Sequence, residues 1–242
     1  MSRSIIFIYG IFAYTLALIA QMWFIFYIGE WKFMPTTINS YHPVPLVTAL
    51  SINLALVLLF SLQHSLMARS LFKKYLTKVI PIAAERSTYV LFSGVALGLI
   101  CLYWQPLEGG LWHVDNEVGR TLLTAGYLFG WTFSLFSTFI INHFELFGLQ
   151  QIYLNLLNKP SPAIEFKEKL FYKAVRHPIQ LGVLIGLWIT PTMSYSHLML
   201  SSTLTIYIFV GLWFEERDLI AELGDTYREY QQRVRMMFPF PK

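Results

Sequence analysis

Charge is scarce in this chain, and cysteine is nearly absent. Of 242 residues only 13% are Asp, Glu, Lys or Arg, and there is one cysteine, Cys101. A soluble domain carries roughly 25% charged residues, so the shortage excludes an ordinary water-facing surface. A lone cysteine excludes an internal disulfide and a cysteine-based metal cluster. Cys101 lies inside an apolar run, where packing is its expected role, and no metal centre is expected. Internal repeats and low-complexity tracts are missing as well, which leaves a single domain over residues 1–242. No nucleic-acid motif occurs, and the basic residues behind the net charge of +4 form no compact patch, so nucleic acid is not an expected partner.

What is present is apolar: 55% of the residues are hydrophobic. Long runs cover residues 5–28, 44–63, 88–104, 121–141, 179–193 and 198–214. The first four can cross a hydrocarbon core of about 30 Å at 1.5 Å per residue. The last two are short. Around fifteen residues make only about 22 Å of helix, which predicts a tilted or incompletely spanning hairpin. Residues 5–28 are too long for a signal-peptide core and no small-residue cleavage site follows, so they are expected to remain as a helix. The predicted fold is all-α, a polytopic integral membrane bundle of about six membrane helices with a C-terminal cytoplasmic helical tail. Membrane lipid is its expected surroundings.

Every Lys and Arg except Lys32 and Arg120 falls in the N-terminus, the loops after the second and fourth runs, or the C-terminal tail. By the positive-inside rule these face the cytoplasm, both termini included. A bacterial inner membrane is the expected location. Residues 68–79 put Leu71, Phe72, Tyr75, Leu76 and Val79 on one helical face with lysines elsewhere, which predicts an interfacial helix. Residues 142–158 are expected to prolong the fourth membrane helix until Pro160 and Pro162 break it, and a polar helix then leads to Arg176. Past residue 214 the helix continues through EERDLIAEL, with Gly224 as its C′ residue and Asp225 capping a short final helix.

Two charged groups flank the last hairpin. Arg176-His177-Pro178 precedes the fifth run, and Glu215-Glu216 follows the sixth. Turn residues in TPTMSYSH, 190–197, close the hairpin, so the start of one helix and the end of the next become neighbours at the cytoplasmic interface. Proline suits a first helical position, and a helix N-terminus attracts anions. Two meanings remain open from these residues alone. One is a helix cap with surface ion pairs. The other is a binding site for a zwitterionic, water-soluble cofactor.

RHPxxxG (Arg176, His177, Pro178, Gly182) followed by EExxLxxxxGxxYxxYxxxV (Glu215, Glu216, Leu219, Gly224, Tyr227, Tyr230, Val234) resembles the signature of the isoprenylcysteine carboxyl methyltransferase-like superfamily. Upstream, QHSLMARSLFKK (63–74), PIAAERSTYVL (81–91), NHFELFGLQQIY (142–153) and TPTMSYSHL (190–198) are similar to its methanethiol S-methyltransferase branch. The resemblance implies an S-adenosylmethionine-dependent membrane methyltransferase whose cofactor site, within about residues 142–242, draws on Arg176, His177, Pro178, Gln180, Gly182, Glu215, Glu216, Tyr227 and Tyr230. Arg176 and His177 would hold the cofactor carboxylate, and one of the paired glutamates its amino or ribose groups.

There are departures. Gln180 stands where superfamily members often carry Tyr, and Val234-Arg235 replaces a common Val-Pro. Prenylcysteine enzymes carry arginines about a turn before the paired acids, where this chain has Val210, Gly211, Leu212 and Trp213. That favours a small apolar thiol, methanethiol giving dimethyl sulfide, over a prenylcysteine carboxylate or a lipid. A thiol has a pKa near roughly 8.5, so a base or cationic neighbour helps its attack. The candidates are His64, Arg69, His143 and Glu145, with Arg69 able to pair with Glu145. His42, His113 and His197 fall on the outer side and are given no role. A competing class makes His64 and His143 axial haem ligands of a denitrification-associated membrane protein.

Overall fold

The computed structural model describes residues 2–40, 44–160, 162 and 168–238. His42, Lys167 and Lys242, which enter the expectations above, lie outside these residues. In chain order the helices are α1 (Arg3–Ile28), α2 (Leu46–Ala68), α3 (Ser70–Leu76) and α4 (Ile82–Tyr103). A short strand β1 (Gly110–His113) precedes α5 (Glu117–Ile141), and α6 (His143–Leu146) and α7 (Leu149–Leu156) follow. After a 3-10 turn at Leu170–Lys173 come α8 (Pro178–Trp188), strand β2 (Thr192–Ser194), α9 (Tyr195–Leu223) and α10 (Asp225–Arg233). Five of them, α1, α2, α4, α5 and α9, are long and apolar enough to cross a membrane, and the chain is a polytopic helical membrane protein.

The expected bundle of about six membrane helices is present among the described residues as five long apolar helices and one short one, α8. The final pair is unequal: α8 has 11 residues and α9 has 29. Pro191 explains the difference. In a continuing helix its N–H would bond the carbonyl of Leu187, and proline has none. That carbonyl instead accepts the imidazole Nε2–H of His197 at 2.8 Å and the Ser201 hydroxyl at 3.0 Å. The hairpin is no simple turn either. Residues 192–194 extend and pair antiparallel with β1, an arrangement absent from the expected all-helical outline. His197, given no role from sequence, is buried and satisfies the end of α8.

Three other boundaries differ. α4 begins at Ile82, six residues ahead of its apolar run, because Pro81 opens it and Glu85 lies in the first turn. The interfacial helix is one short element, α3, with Leu71, Tyr75 and Val79 exposed around it. The fourth membrane helix does not run on. Asn142 (φ 177°, ψ 90°) breaks it, and Gly148 at φ 85° separates α6 from α7. Of the polar helix expected before Arg176, the described residues hold only the 3-10 turn. Gly224, at φ 58°, ends α9 as expected, while Asp225 is the first residue of α10 rather than its cap.

Cα packing divides the chain into two units, Met1–Gly109 with Asn142–Ile164, and Gly110–Ile141 with Glu165–Lys242. The cofactor region expected at 142–242 thus begins with a segment that packs in the first unit. There, α1 buries Ile6, Gly10, Ala13, Ala17, Ala20, Phe24 and Tyr27, a 4-3-4-3 stripe of mostly small side chains. It lies close on α4: a Cβ at Gly94 would fall 2.7 Å from the Ala17 Cα. In the second unit α5 and α8 approach in the same way, through Gly130 and Ser134 against Gly182 and Gly186. Small residues allow such contact where water provides no hydrophobic drive between helices.

A Cβ at Gly182 would sit 2.5 Å from the Ser134 backbone nitrogen and 2.6 Å from the Gly130 carbonyl, so α5 and α8 would have to part. Gly182→Ala should destabilise the protein by about 1–3 kcal/mol, seen as a lower melting temperature in detergent. Gly98→Ala, where a Cβ meets nothing within 4 Å, is the control and should melt like the wild type. Equal melting of the two variants would contradict this packing.

Candidate functional site

The charged cluster of the second unit is built on two helix ends and a tail. Pro178 is the first residue of α8 and His177 its N-cap. From Val175 the backbone runs beside the tail that follows α10: Val175 bridges Arg235, the Arg176 N–H donates to the Arg235 carbonyl at 2.8 Å, and the His177 N–H donates to that of Met236 at 3.1 Å. Met237 packs with Leu184 of α8 and Leu212 of α9. One turn past Leu212, on the same buried face of α9, is Glu216.

Its carboxylate gathers the site. Oε1 accepts from Arg176 Nε at 2.7 Å and from His177 Nε2 at 3.0 Å, and Tyr227 Oη stands 3.5 Å away. Oε2 accepts from Gln231 Nε2 at 2.8 Å. An ionised carboxylate only accepts, so His177 carries its proton on Nε2. Arg176 also donates to the carbonyls of Val234 and Gln231, which spends its guanidinium on both α9 and the tail. The side chains of Arg176, His177 and Glu216 are no more than 10% exposed. Phenols continue the hydrogen bonding behind them. Tyr230 donates to the Tyr172 carbonyl, and Tyr172 to that of Ser137 at 3.3 Å. Burial, and secondarily the Glu216 charge, pushes the Tyr227 phenol up. Burial, with Glu168 next, pushes Tyr230 up to about 12. Both remain hydroxyl donors at neutral pH.

Of the expected cofactor residues, the fold thus brings together Arg176, His177, Glu216 and Tyr227, with Tyr230 buried behind them. It separates the paired acids: Glu216 is buried and Glu215 exposed. Gln180 is half-buried on α8, and Gly182 is occupied in the contact with α5. Gln231 and the tail carbonyls went unnoticed in the sequence. Gln231 follows Tyr227 by four residues and so shares its face of α10, which was the available signal.

The candidates for thiol activation are in the first unit. His64 of α2 stacks on Phe60, its Nε2 is 2.7 Å from the Tyr89 hydroxyl and its Nδ1 is 3.1 Å from Ser93 Oγ. His143 is buried, with Nε2 2.9 Å from the Tyr14 hydroxyl and its ring against Phe147. Burial pushes its pKa down. Glu145 caps α6 reciprocally with Asn142, whose Oδ1 accepts from the Glu145 N–H and whose amide donates to Oε2 at 2.9 Å. Arg69 is the extended residue where α2 passes into α3. The hydroxyl partners Tyr14, Tyr89 and Ser93 sit within apolar runs and carried no signal of their own.

Fold and cluster together define a polytopic helical membrane protein with a buried Arg–His–Glu centre. No protein-family model matches the chain, and no solved structure does. Among characterised proteins, it is 44% identical to the methanethiol S-methyltransferase of Mycobacterium tuberculosis over 241 residues, 100% of this chain and 98% of that one. It is 42% identical to the enzyme of that name from Crocosphaera subtropica, over 99% of this chain and 94% of the other. Nurim of Bos taurus is 32% identical over 73% of this chain and 68% of its own length. The chain belongs to the methanethiol S-methyltransferase family of enzymes, within the isoprenylcysteine carboxyl methyltransferase-like superfamily.

Removing one partner of a buried ion pair typically costs about 3–5 kcal/mol. Glu216→Gln, which leaves the Arg176 guanidinium buried beside a neutral amide, should therefore melt far below the wild type. Exposed Glu215→Gln should stay within about 0.5 kcal/mol. Thermal unfolding followed by circular dichroism checks both, and similar shifts for the two would contradict the asymmetry.

Proposed function

We propose that this protein methylates methanethiol to dimethyl sulfide with S-adenosylmethionine as the donor. The observation that carries the reaction is the near full-length identity to enzymes named for it. The donor set supports the cofactor. A guanidinium and a carboxylate held 2.7 Å apart, with an imidazole and phenols around them, match a zwitterionic amino-acid group in charge and in hydrogen-bonding capacity. Arg176 and His177 would hold its carboxylate, and Glu216 its ammonium, with Gln180, Tyr227 and Tyr230 adjoining. When bound, the group supplies a methyl carried on a sulfonium.

The chain's own contribution is placement, dryness and proton handling. Attack of a thiolate on a sulfonium methyl cancels two opposite charges. Water stabilises the separated charges and slows the step, so apolar surroundings such as those of α8 favour it. Reacting atoms must lie about 3–3.5 Å apart in line. His64 and His143 are the groups suited to receive the thiol proton, with Arg69 and Glu145 as charged neighbours on the same side of the chain's topology. Selection then rests on size and apolarity, at about 1–3 kcal/mol per methylene.

The bias of basic residues supports both termini and the charged cluster lying on the cytoplasmic side, in a bacterial inner membrane. Single cysteines at Asp115 and Arg228, in a Cys101→Ala background, should label from opposite sides of inverted and right-side-out vesicles. Labelling of both from one side would refute this topology.

Purified protein given labelled S-adenosylmethionine and methanethiol should release dimethyl sulfide into the headspace. Ethanethiol should react more slowly, and prenylcysteine analogues poorly. Turnover of a prenylcysteine analogue without dimethyl sulfide formation would overturn the assignment.

A further inference from the structure

Two side-chain atoms beside Glu216 are left unspent. His177 gives its Nε2–H to Glu216 Oε1 at 3.0 Å. It is the N-cap of α8, yet its side chain makes no bond to the helix. Its other ring nitrogen, Nδ1, has no hydrogen-bond partner among the described residues, although the side chain is only 5% exposed. Arg176 spends Nε on Glu216 and Nη1 on the tail carbonyls, and its Nη2 has no partner among the described residues. The two atoms are not alike. A guanidinium nitrogen always carries hydrogen. A neutral imidazole has one proton, and His177 has placed it on Nε2, so Nδ1 holds a bare lone pair.

The ionisable groups gathered at this end of α8 come from every element around it. Glu216 and Glu215 belong to α9, Tyr227 and Tyr230 to α10, Tyr172 to the 3-10 turn, and Arg176 to the chain just before α8. Arg235 of the tail and Lys173 of the turn are exposed, and Glu168 is paired with Arg233. Where α5 meets α8 it brings Gly130 and Ser134, which carry no charge. With the site empty, the Arg176 charge answers that of Glu216. A second cation on buried His177 would add to Arg176 and to the positive end of α8. A ligand carboxylate reverses that balance, because a nearby opposite charge favours the charged imidazole.

We infer that His177 takes up a proton on Nδ1 when the methyl donor binds, so that donor affinity is linked to pH through this one side chain. This rests on the reading above of the cluster as the site for the amino-acid end of S-adenosylmethionine. The proton comes from solvent and forms an Nδ1–H bond that donates to the ligand carboxylate. The Nε2–H stays on Glu216, and Arg176 Nη2 supplies a further donor. Without the added proton, the Nδ1 lone pair would meet the carboxylate as a second acceptor. A group that gains a proton with its ligand holds that ligand best at low pH. The affinity is lost as pH rises through the pKa of the bound state.

Calorimetric titration of the full-length protein in detergent, repeated in buffers of different ionisation enthalpy, counts the protons exchanged on binding. The probes are S-adenosylhomocysteine and its decarboxylated analogue, which share the nucleoside and the amine. From about pH 6 to about pH 8.5, uptake with the first should exceed uptake with the second by a margin growing from near zero to about one proton. The Kd for S-adenosylhomocysteine should weaken over that range by up to about tenfold per pH unit. In His177→Gln, whose amide donates without changing charge, the excess uptake should disappear. Equal uptake with both probes at every pH would overturn the linkage, since Nδ1 then accepts from the ligand ammonium. Full excess uptake in His177→Gln would overturn it as well, by placing the proton elsewhere. Where the variant does not fold or the analogue does not bind, the other comparison decides. A wild-type protein that does not bind S-adenosylhomocysteine at all would instead overturn the cofactor reading itself.

Discussion

A single buried carboxylate organises the second unit. Glu216 is carried into an apolar interior on α9, where an unpaired charge would be very costly. Its pairing recruits a cation, an imidazole and an amide from segments far apart in the chain: Arg176 and His177 at the mouth of α8, and Gln231 on α10. Because Arg176 also holds the carbonyls of Val234 and Gln231, satisfying the carboxylate fastens the tail as well. The backbone pairing of Arg176 and His177 with Arg235 and Met236 follows from that anchoring. Charge neutralisation and chain path are one problem here, with one solution.

The first unit solves a different problem with different chemistry. It carries its polar groups into helix interfaces as neutral pairs, tyrosine with histidine and serine with histidine. Neutral hydrogen bonds cost less to bury than ions. Close approach of α1 and α4 through small residues gives these pairs rigid walls.

Much of this was legible in the residues. The apolar runs located α1, α2, α4 and α5, and Gly224 marked the end of α9. The convergence of Arg176-His177 with the paired acids followed from a hairpin with one motif at each end. What stayed hidden depends on phase and tertiary partners. Nothing local distinguishes Glu215 from Glu216; only the rotation of α9 buries one and exposes the other. Residues 142–158 keep enough apolar character to suggest continuity, so the break at Asn142 and the allegiance of that segment to the first unit were invisible. The two runs of similar length at 179–193 and 198–214 concealed helices of 11 and 29 residues, because the effect of Pro191 on the Leu187 carbonyl depends on His197 and Ser201 arriving to replace the lost bond.

That replaced bond bears on what α8 can do alone. A helix of 11 residues is well short of the ~20 apolar residues that enter a bilayer as an independent span. The Leu187 carbonyl freed by Pro191 would be left unsatisfied in lipid without His197 and Ser201 of α9. Shortness and a carbonyl satisfied only from α9 together make α8 dependent on its neighbour for stable burial in a bilayer.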